Sequence, residues 1–569
     1  MKRTILLMII ACLLGIINAY SAESADLILI NQVGYAPKAS KVALIRANVT
    51  QFDVIDVATG KSIFRGKTGQ PEYWKYSGDT VRVADFSSVS KPGKYKISIG
   101  KKFPESAVFS IGTNLYAGLS RAAIKALYFN RCSFAIDQKY AGKYSRAAGH
   151  PDTVVLVHES AASEARPAGT VISSPGGWYD AGDYNKYIVN SGISTYTLLL
   201  FCQMYPAYCK ALNTNIPESG NAIPDPLDEA LYNLRWMLTM QDPNDGGVYH
   251  KLTNKNFDAF IMPEKATTPR YVVQKTTSAA LDFAAVMAMA YRLFSESDVQ
   301  ELKDLSTTCL NAANRAYAWA KANPHQIYKQ PSDVVTGTYG DNNLSDEFFW
   351  ASAELALSNK NPTLITKNQI DSLPVSAPSW GNVRTLGILS LAFTNDPGFK
   401  DQRNAALAAL EQYNKVLLEK YRNSPYRVSL DFFHWGSNSD VANQAMLKIV
   451  ECKITGNREL LPSIQADADY ILGRNATGYC FVTGFGSKTL MNIHHRPSGA
   501  DGIPEPIPGF LSGGPNVDTF ADCGENAGRS KFPAKSFMDS ECSYSTNEIA
   551  INWNAPLFFL MGALDDSID

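Results

Sequence analysis

The 569-residue sequence is 45% hydrophobic and 19% charged, with a formal net charge of −1. Its length exceeds one ordinary core, so two or more domains are expected. The near-zero charge excludes the basic stripe that a nucleic-acid partner needs and a purely electrostatic hold on a membrane; a neutral, bulky ligand suits it better.

Lys2 and Arg3 precede an uncharged run, Ile5 to Ile17, and small residues follow at Ala19, Ser21 and Ala22. This pattern predicts a secretory signal over residues 1–22 and a secreted or periplasmic protein. Ile9-Ile10-Ala11-Cys12 loosely resembles a lipoprotein box, so a lipid-anchored outer-membrane form through Cys12 is the alternative. No later stretch is long and apolar enough to span a bilayer.

Residues 27–112 carry short β-branched runs at Leu27–Asn31, Val42–Arg46, Gln51–Val57, Thr80–Phe86 and Lys94–Ile99, separated by turn residues such as Gly34, Thr59-Gly60 and Pro92-Gly93. They predict a small β-sandwich. After Asn114 the apolar period becomes helical. Helices are expected over Leu115–Asn130, Tyr187–Tyr205, Leu227–Met240, Thr277–Phe294, Val299–Ala322, Glu347–Ser358, Val383–Phe393, Arg403–Glu419, Val441–Glu451, Leu461–Leu472 and Glu548–Leu564. Residues 115–569 are therefore read as one mainly α domain, with paired helices closing into a ring and long loops gathered at one end. The segment Arg496–Lys535 is rich in proline and glycine and reads as an ordered wall of a site. The nine cysteines contain no CxxC pair; Cys523 and Cys542 are the pair expected to bridge.

Three constellations carry chemistry. Gly176 to Tyr187 places Asp180 and Asp183 three residues apart, a spacing that can hold a water between two carboxylates; an Asp-rich helix cap or cation site is the competing reading. Phe537 to Asn554 contains Glu548, read in the first turn of a helix capped by Asn547. A helix start lowers a carboxyl pKa, so burial against Tyr544 or Trp553, or the Asp pair, must outweigh it for Glu548 to act as an acid. Met491 to Pro497 holds His494, His495 and Arg496, suited to sugar hydroxyls, to a metal, or to a satisfied structural role.

Taken in order, the Asp180–Asp183, His494–Arg496 and Asp539–Glu548 blocks resemble glycoside hydrolase family 9, the cellulase family with an (α/α)6 barrel. Phe537, Asp539, Tyr544, Glu548, Ala550 and Asn554-Ala555 fit its last pattern. Gly486, Lys488, His494 and Arg496 fit the preceding one, although Cys480 departs from its usual start. Leu29 to Tyr35 resembles the immunoglobulin-like module that precedes the barrel in one branch. The resemblance implies an inverting hydrolase of β-1,4-glucans with Asp183 as general base, Asp180 holding the water and Glu548 as general acid. It implies sugar contacts at His494, Arg496, Tyr544, Trp435 and His250. No cofactor is required for the chemistry; a structural calcium on Asp346 and Glu347 is implied, with Asn382 standing where relatives commonly offer an Asp. Some relatives carry a zinc site; Cys132, His150 and His158 remain here without the Cys-His pair that would complete it, so no zinc is expected.

The leading expectation is a monomeric endo-β-1,4-glucanase acting on cellulose, mixed-linkage glucan or xyloglucan. The alternatives are an exo-acting β-glucosidase or β-glucosaminidase and a non-catalytic glycan-binding protein, which retention of all three acids disfavours.

Overall fold

The computed structural model describes residues 27–372, 374–518, 522–524 and 529–566; the expected signal and Cys12 lie outside them. Two sheets build the N-terminal sandwich. One has the order β1(Ile28–Leu29), β3(Val42–Ile45), β7(Asp79–Asp85), β6(Glu72–Trp74). The other runs β2(Gly34–Tyr35), β9(Phe109–Ile111), β8(Gly93–Ser98), β4(Gln51–Asp56), β5(Ser62–Lys67). Alternation drives the pairing: Phe52 and Val54, with Tyr95 and Ile97, point inward onto Tyr35, Phe86 and Phe109. Sequence reasoning missed β2, β5, β6 and β9. Ser62–Lys67 is a largely exposed edge strand, and Glu72–Trp74 is too short to show a period.

Eleven helices of ten residues or more follow among the described residues: α1(Ala117–Phe129), α2(Ile188–Met204), α3(Asp225–Thr239), α4(Thr277–Ser295), α5(Gln300–Ala322), α6(Ser345–Ser358), α7(Arg384–Phe393), α8(Lys400–Asn423), α9(Ser437–Thr455), α10(Leu461–Ile471) and α11(Ile551–Asp565). Six of them, α2, α4, α6, α7, α9 and α11, pack each on the next and close into an inner ring. Their sequences explain the position. In α2 every residue but Gln203 is buried, and in α11 burial is continuous from Ile551 to Ala563. A helix apolar on all sides must be enclosed. The outer helices bury one stripe instead: α5 hides Leu302, Ser306, Cys309, Ala313, Ala316 and Ala320 at helical spacing. Outer α1, α3, α5, α8 and α10 pack on α11, α2, α4, α7 and α9 respectively. The sixth outer position is taken by the short turn Pro362–Leu364, which packs on α6, and the result is an (α/α)6 barrel. No helix among the described residues is long and apolar enough to cross a membrane.

The sandwich is bolted to the barrel through the Asn31 turn. Asn31 Nδ2 donates to Asp469 Oδ1 on α10 (3.0 Å) and Tyr116 (3.1 Å), while its Oδ1 accepts the N–H groups of Val33 and Gly34. Gln32 spans to the carbonyl of Gly478 and accepts from the N–H groups of Ser487 and Lys488. Trp74 stacks on Tyr426 with centroids 4.3 Å apart. The turn needs glycine at Gly34, whose φ is +137° and where a Cβ would stand 2.2 Å from the Ser110 carbonyl. The expected Cys523–Cys542 bridge is present.

Candidate active site

The connections that lead into the inner helices reach a single cleft of about 490 Å3. Asp180, Asp183 and Tyr187 come from the loop before α2, and Gly337 to Tyr339 from the one before α6. Ser379 to Gly381 precede α7, His434 to Gly436 precede α9, and Glu548 and Ala550 precede α11; Phe257 comes from the long connection before α4. The cleft therefore sits where the inner helices begin. Loops from separate elements can meet there while the ring below stays rigid.

The Asp loop is irregular and clamped. Asp180 N–H donates to the Asn185 carbonyl (3.0 Å), and Ile551 N–H donates to the Asp180 carbonyl (2.9 Å), tying the loop to α11. Both carboxylate oxygens of Asp180 are occupied: Asn190 Nδ2 donates to one and the Tyr339 hydroxyl to the other (2.6 Å). Asn185 Nδ2 donates to Asp183 Oδ2. Its orientation is forced, because Asn185 Oδ1 already accepts from the Thr253 hydroxyl (2.8 Å) and the Asn254 N–H (3.0 Å).

Glu548 does not lie in the first turn of the last helix. That helix starts at Ile551, and Glu548 is extended (φ −71°, ψ 161°), forming a parallel bridge with His494. The Gly513 N–H donates to the Glu548 carbonyl, and the Gly182 N–H reaches Glu548 Oε1 at 3.2 Å. The opposition between helix dipole and acid function is thus removed by where the helix begins. Burial, then the neighbouring Asp183, holds the Glu548 carboxyl well above the usual range, although one edge stays open to the cleft. The same causes push Asp180 up to about 8.

The sequence that builds this cleft, where a lone glutamate shares the lining with a pair of aspartates, matches a known family. The Glycosyl hydrolase family 9 model matches residues 116–561, and the cellulase N-terminal Ig-like domain model matches residues 23–102. The chain belongs to glycosyl hydrolase family 9. A xyloglucan-specific endo-β-1,4-glucanase of Bacteroides ovatus is 42% identical over 562 residues, covering 95% of this chain and 94% of that protein. Endoglucanase D of Acetivibrio thermocellus is 33% identical, covering 94% and 82%. Among solved structures, a Bacteroides ovatus family 9 protein superposes with a TM-score of 0.87 at 40% identity, covering 96% of this chain and all of that one (100%). A thermostable endoglucanase of Alicyclobacillus acidocaldarius gives 0.86 at 30% identity, covering 95% and 99%.

The remaining predicted residues of this glycoside hydrolase divide. Trp435 lines the cleft and lies 5.5 Å, ring to ring, from Tyr544, which in turn flanks His494. His494 Nδ1 contacts the Glu541 carbonyl at 2.6 Å; a carbonyl only accepts, so this nitrogen carries the proton. Arg496 is buried and serves the Asp loop: it donates to the carbonyls of Gly182 (2.8 Å) and Asp258 (2.7 Å). His250, expected to contact substrate, does not reach the cleft. It is fully buried, stacked 4.1 Å from Tyr328, and its nitrogens engage Thr276 and the Thr338 carbonyl, so it braces the wall that carries Tyr339.

Asp346 and Glu347 open α6 away from the cleft. Asp346 Oδ2 accepts the Val383 N–H (2.9 Å), while Asp346 Oδ1, Glu347 Oε2 and both oxygens of buried Asp282 have no hydrogen-bond partner among the described residues. Burial, then mutual repulsion, raises Asp282 and Glu347. As placed, no three acid, His or Cys side chains among the described residues converge to hold a metal ion. Cys132 lies against the His150 carbonyl and Asp152, whereas His158 pairs elsewhere with Asp333.

Sequence reasoning missed Tyr339, Trp380, Asn185 and Asn190. The first two sit in loops directly before inner helices, and Tyr339 has a positive φ of 44° in a Gly-Thr-Tyr-Gly turn, the one local signal that marked it.

Proposed function

We propose that this family 9 enzyme is an endo-acting β-1,4-glucanase that inverts the anomeric centre, with xyloglucan as its first substrate and cellulose-type and mixed-linkage chains as related ones. The observation that carries this reading is Glu548 sharing one open, aromatic-lined cleft with Asp180 and Asp183. Glu548, kept protonated by burial and by Asp183, gives its proton to the leaving oxygen. Asp183, steadied by Asn185, takes a proton from the attacking water on the opposite face of the sugar. Asp180, gripped by Asn190 and Tyr339, helps hold that water. His494 and Trp435 bind the sugar ring, with Tyr544 behind them and Arg496 fixing the loop.

The 42% identity to a xyloglucan-specific endoglucanase supports xyloglucan as the first substrate. Export through residues 1–22 and action as a monomer fit a polymeric substrate found outside the cell. Asp346 and Glu347 are the residues that would hold a structural calcium, with no third acid converging on them among the described residues. Their buried oxygens without partners suit a hard cation, which supplies charge neutralisation when bound.

The test is hydrolysis of xyloglucan, mixed-linkage glucan and cellulose with products followed over minutes. A rapid viscosity drop, a ladder of oligosaccharides and an α-anomer appearing first by NMR are expected. A single monosaccharide from the outset, or a first-formed β-anomer, would reject the assignment.

A further inference from the structure

The loop 424–436, which joins α8 to α9, has two faces. Its end, His434 to Gly436, lines the catalytic cleft. Its beginning, Ser424 to Asp431, forms one wall of a second groove of about 370 Å3, whose other wall is Tyr73 to Tyr76 of the sandwich. Phe432 lies between these stretches. The residue is 60% exposed, and its ring stacks on the His434 ring at 5.5 Å. Tyr73 is 61% exposed on the groove, and Trp435 is 41% exposed on the cleft. Exposed aromatic residues thus stand at the cleft (Trp435), on the connecting loop (Phe432) and on the groove at the seam (Tyr73).

One loop with its end in the cleft and its beginning in the groove, and with exposed rings at both, offers stacking faces to a single long ligand. The groove is shaped for a neutral polyol. Its Lys420 and Asp431 neutralise each other at 3.0 Å, and Lys75 lies over the Tyr76 ring. The Ser424 hydroxyl at its edge is buried and has no hydrogen-bond partner among the described residues. The groove is also firm: Trp74 stacks on Tyr426, Tyr76 packs 5.6 Å from Phe433, and Arg427 pairs with Glu72 across the seam.

We propose that this groove is a distal β-glucan-binding site. A chain longer than the cleft passes across Phe432, and Tyr73 of the sandwich supplies its outermost stacking face. The N-terminal domain then contacts substrate as well as supporting the barrel. The inference rests on the glucanase reading of the cleft.

The test uses the full chain carrying Glu548→Gln, in native gels containing soluble xyloglucan and by calorimetry with cellotetraose. Adding Tyr73→Ala or Phe432→Ala is expected to weaken retention by the polymer roughly fivefold, the scale of one lost ring contact, and to leave cellotetraose binding unchanged. Tyr73→Phe should restore retention. In the active enzyme, Tyr73→Ala should raise KM for xyloglucan without changing kcat on the short oligosaccharide. Since Tyr73 is largely exposed, an unchanged melting temperature confirms the fold. Polymer retention untouched by both substitutions, with cellotetraose still bound, would overturn the groove alone. A Glu548→Gln protein that no glucan retards would overturn the reading of the cleft itself.

Discussion

Gly182 donates its backbone N–H to Glu548 Oε1 at 3.2 Å, so the lone glutamate is bonded to the loop that carries both aspartates. That approach is possible only without a side chain, because a Cβ on Gly182 would stand 2.1 Å from the His494 carbonyl. Gly182→Ala is therefore expected to push the 494–496 segment away from the Asp loop. Its cost in stability should be about 1–3 kcal/mol, as for other overpacking changes, with a larger loss in kcat. Denaturant melts and initial rates on xyloglucan check this; native activity in the Gly182→Ala variant would show that the three segments need not be this close.

Glu548→Gln keeps the shape and removes the proton. The expected loss in kcat is roughly 10²–10⁴-fold, the range for a general acid, with substrate affinity retained. The acid must be protonated to act and its carboxyl is raised by burial, so wild-type kcat/KM should decline on the alkaline side as Glu548 ionises. The Gln variant should lose that decline. An alkaline limb that survives in the variant would assign it to another group.

Asp180 turns the same burial into a dependence of stability on pH. Its pKa is about 8 in the folded protein and about 3.9 when unfolded. The folded state binds the proton more tightly, so this contribution is fully present below pH about 4 and is lost as pH rises to about 8. Asp180→Asn removes the penalty of ionising a buried carboxyl, and the Tyr339 hydroxyl can turn to accept from the new amide. The variant is expected to melt above the wild type at pH 9, to match it more closely at pH 5, and to be impaired in hydrolysis. Equal melting temperatures at both pH values would count against the raised pKa.

What the sequence reveals and what it conceals follow from range. Asp180, Asp183 and Glu548 are legible because the blocks that hold them resemble family patterns, where spacing alone left an Asp-rich helix cap open, and the eleven long helices are legible because each carries its own apolar period. Tyr339 and Asn190 are not, since their meaning lies in contact with Asp180 across separate elements. His250 misleads for the same reason: a histidine near the motifs looks alike whether it faces the cleft or stacks under it on Tyr328. Glu548 reads as helical because Asn547 resembles a cap, whereas its backbone is committed to pairing with His494 and Gly513. The edge strand Ser62–Lys67 escapes detection because its exposed residues leave no buried alternation.

The sandwich is expected to stabilise the barrel through one small turn. Asn31 satisfies Asp469 and Tyr116 inside the seam, where burial raises the carboxyl of Asp469 above its ordinary range, opposed by Arg474. Asn31→Ala leaves a buried carboxylate oxygen short of a donor and should cost about 1–3 kcal/mol, with little change in kcat at temperatures where the enzyme stays folded. Removing residues 27–112 should cost far more, because Trp74, Arg46 and Gln32 leave with Asn31 and uncover Tyr426 and the carbonyls of Ala476 and Gly478. Thermal melts of the point variant and of the shortened chain separate a role in stability from one in catalysis. A shortened chain that melts with the full-length protein would mean that the barrel closes without its partner, and the seam would then have to be explained by substrate binding alone.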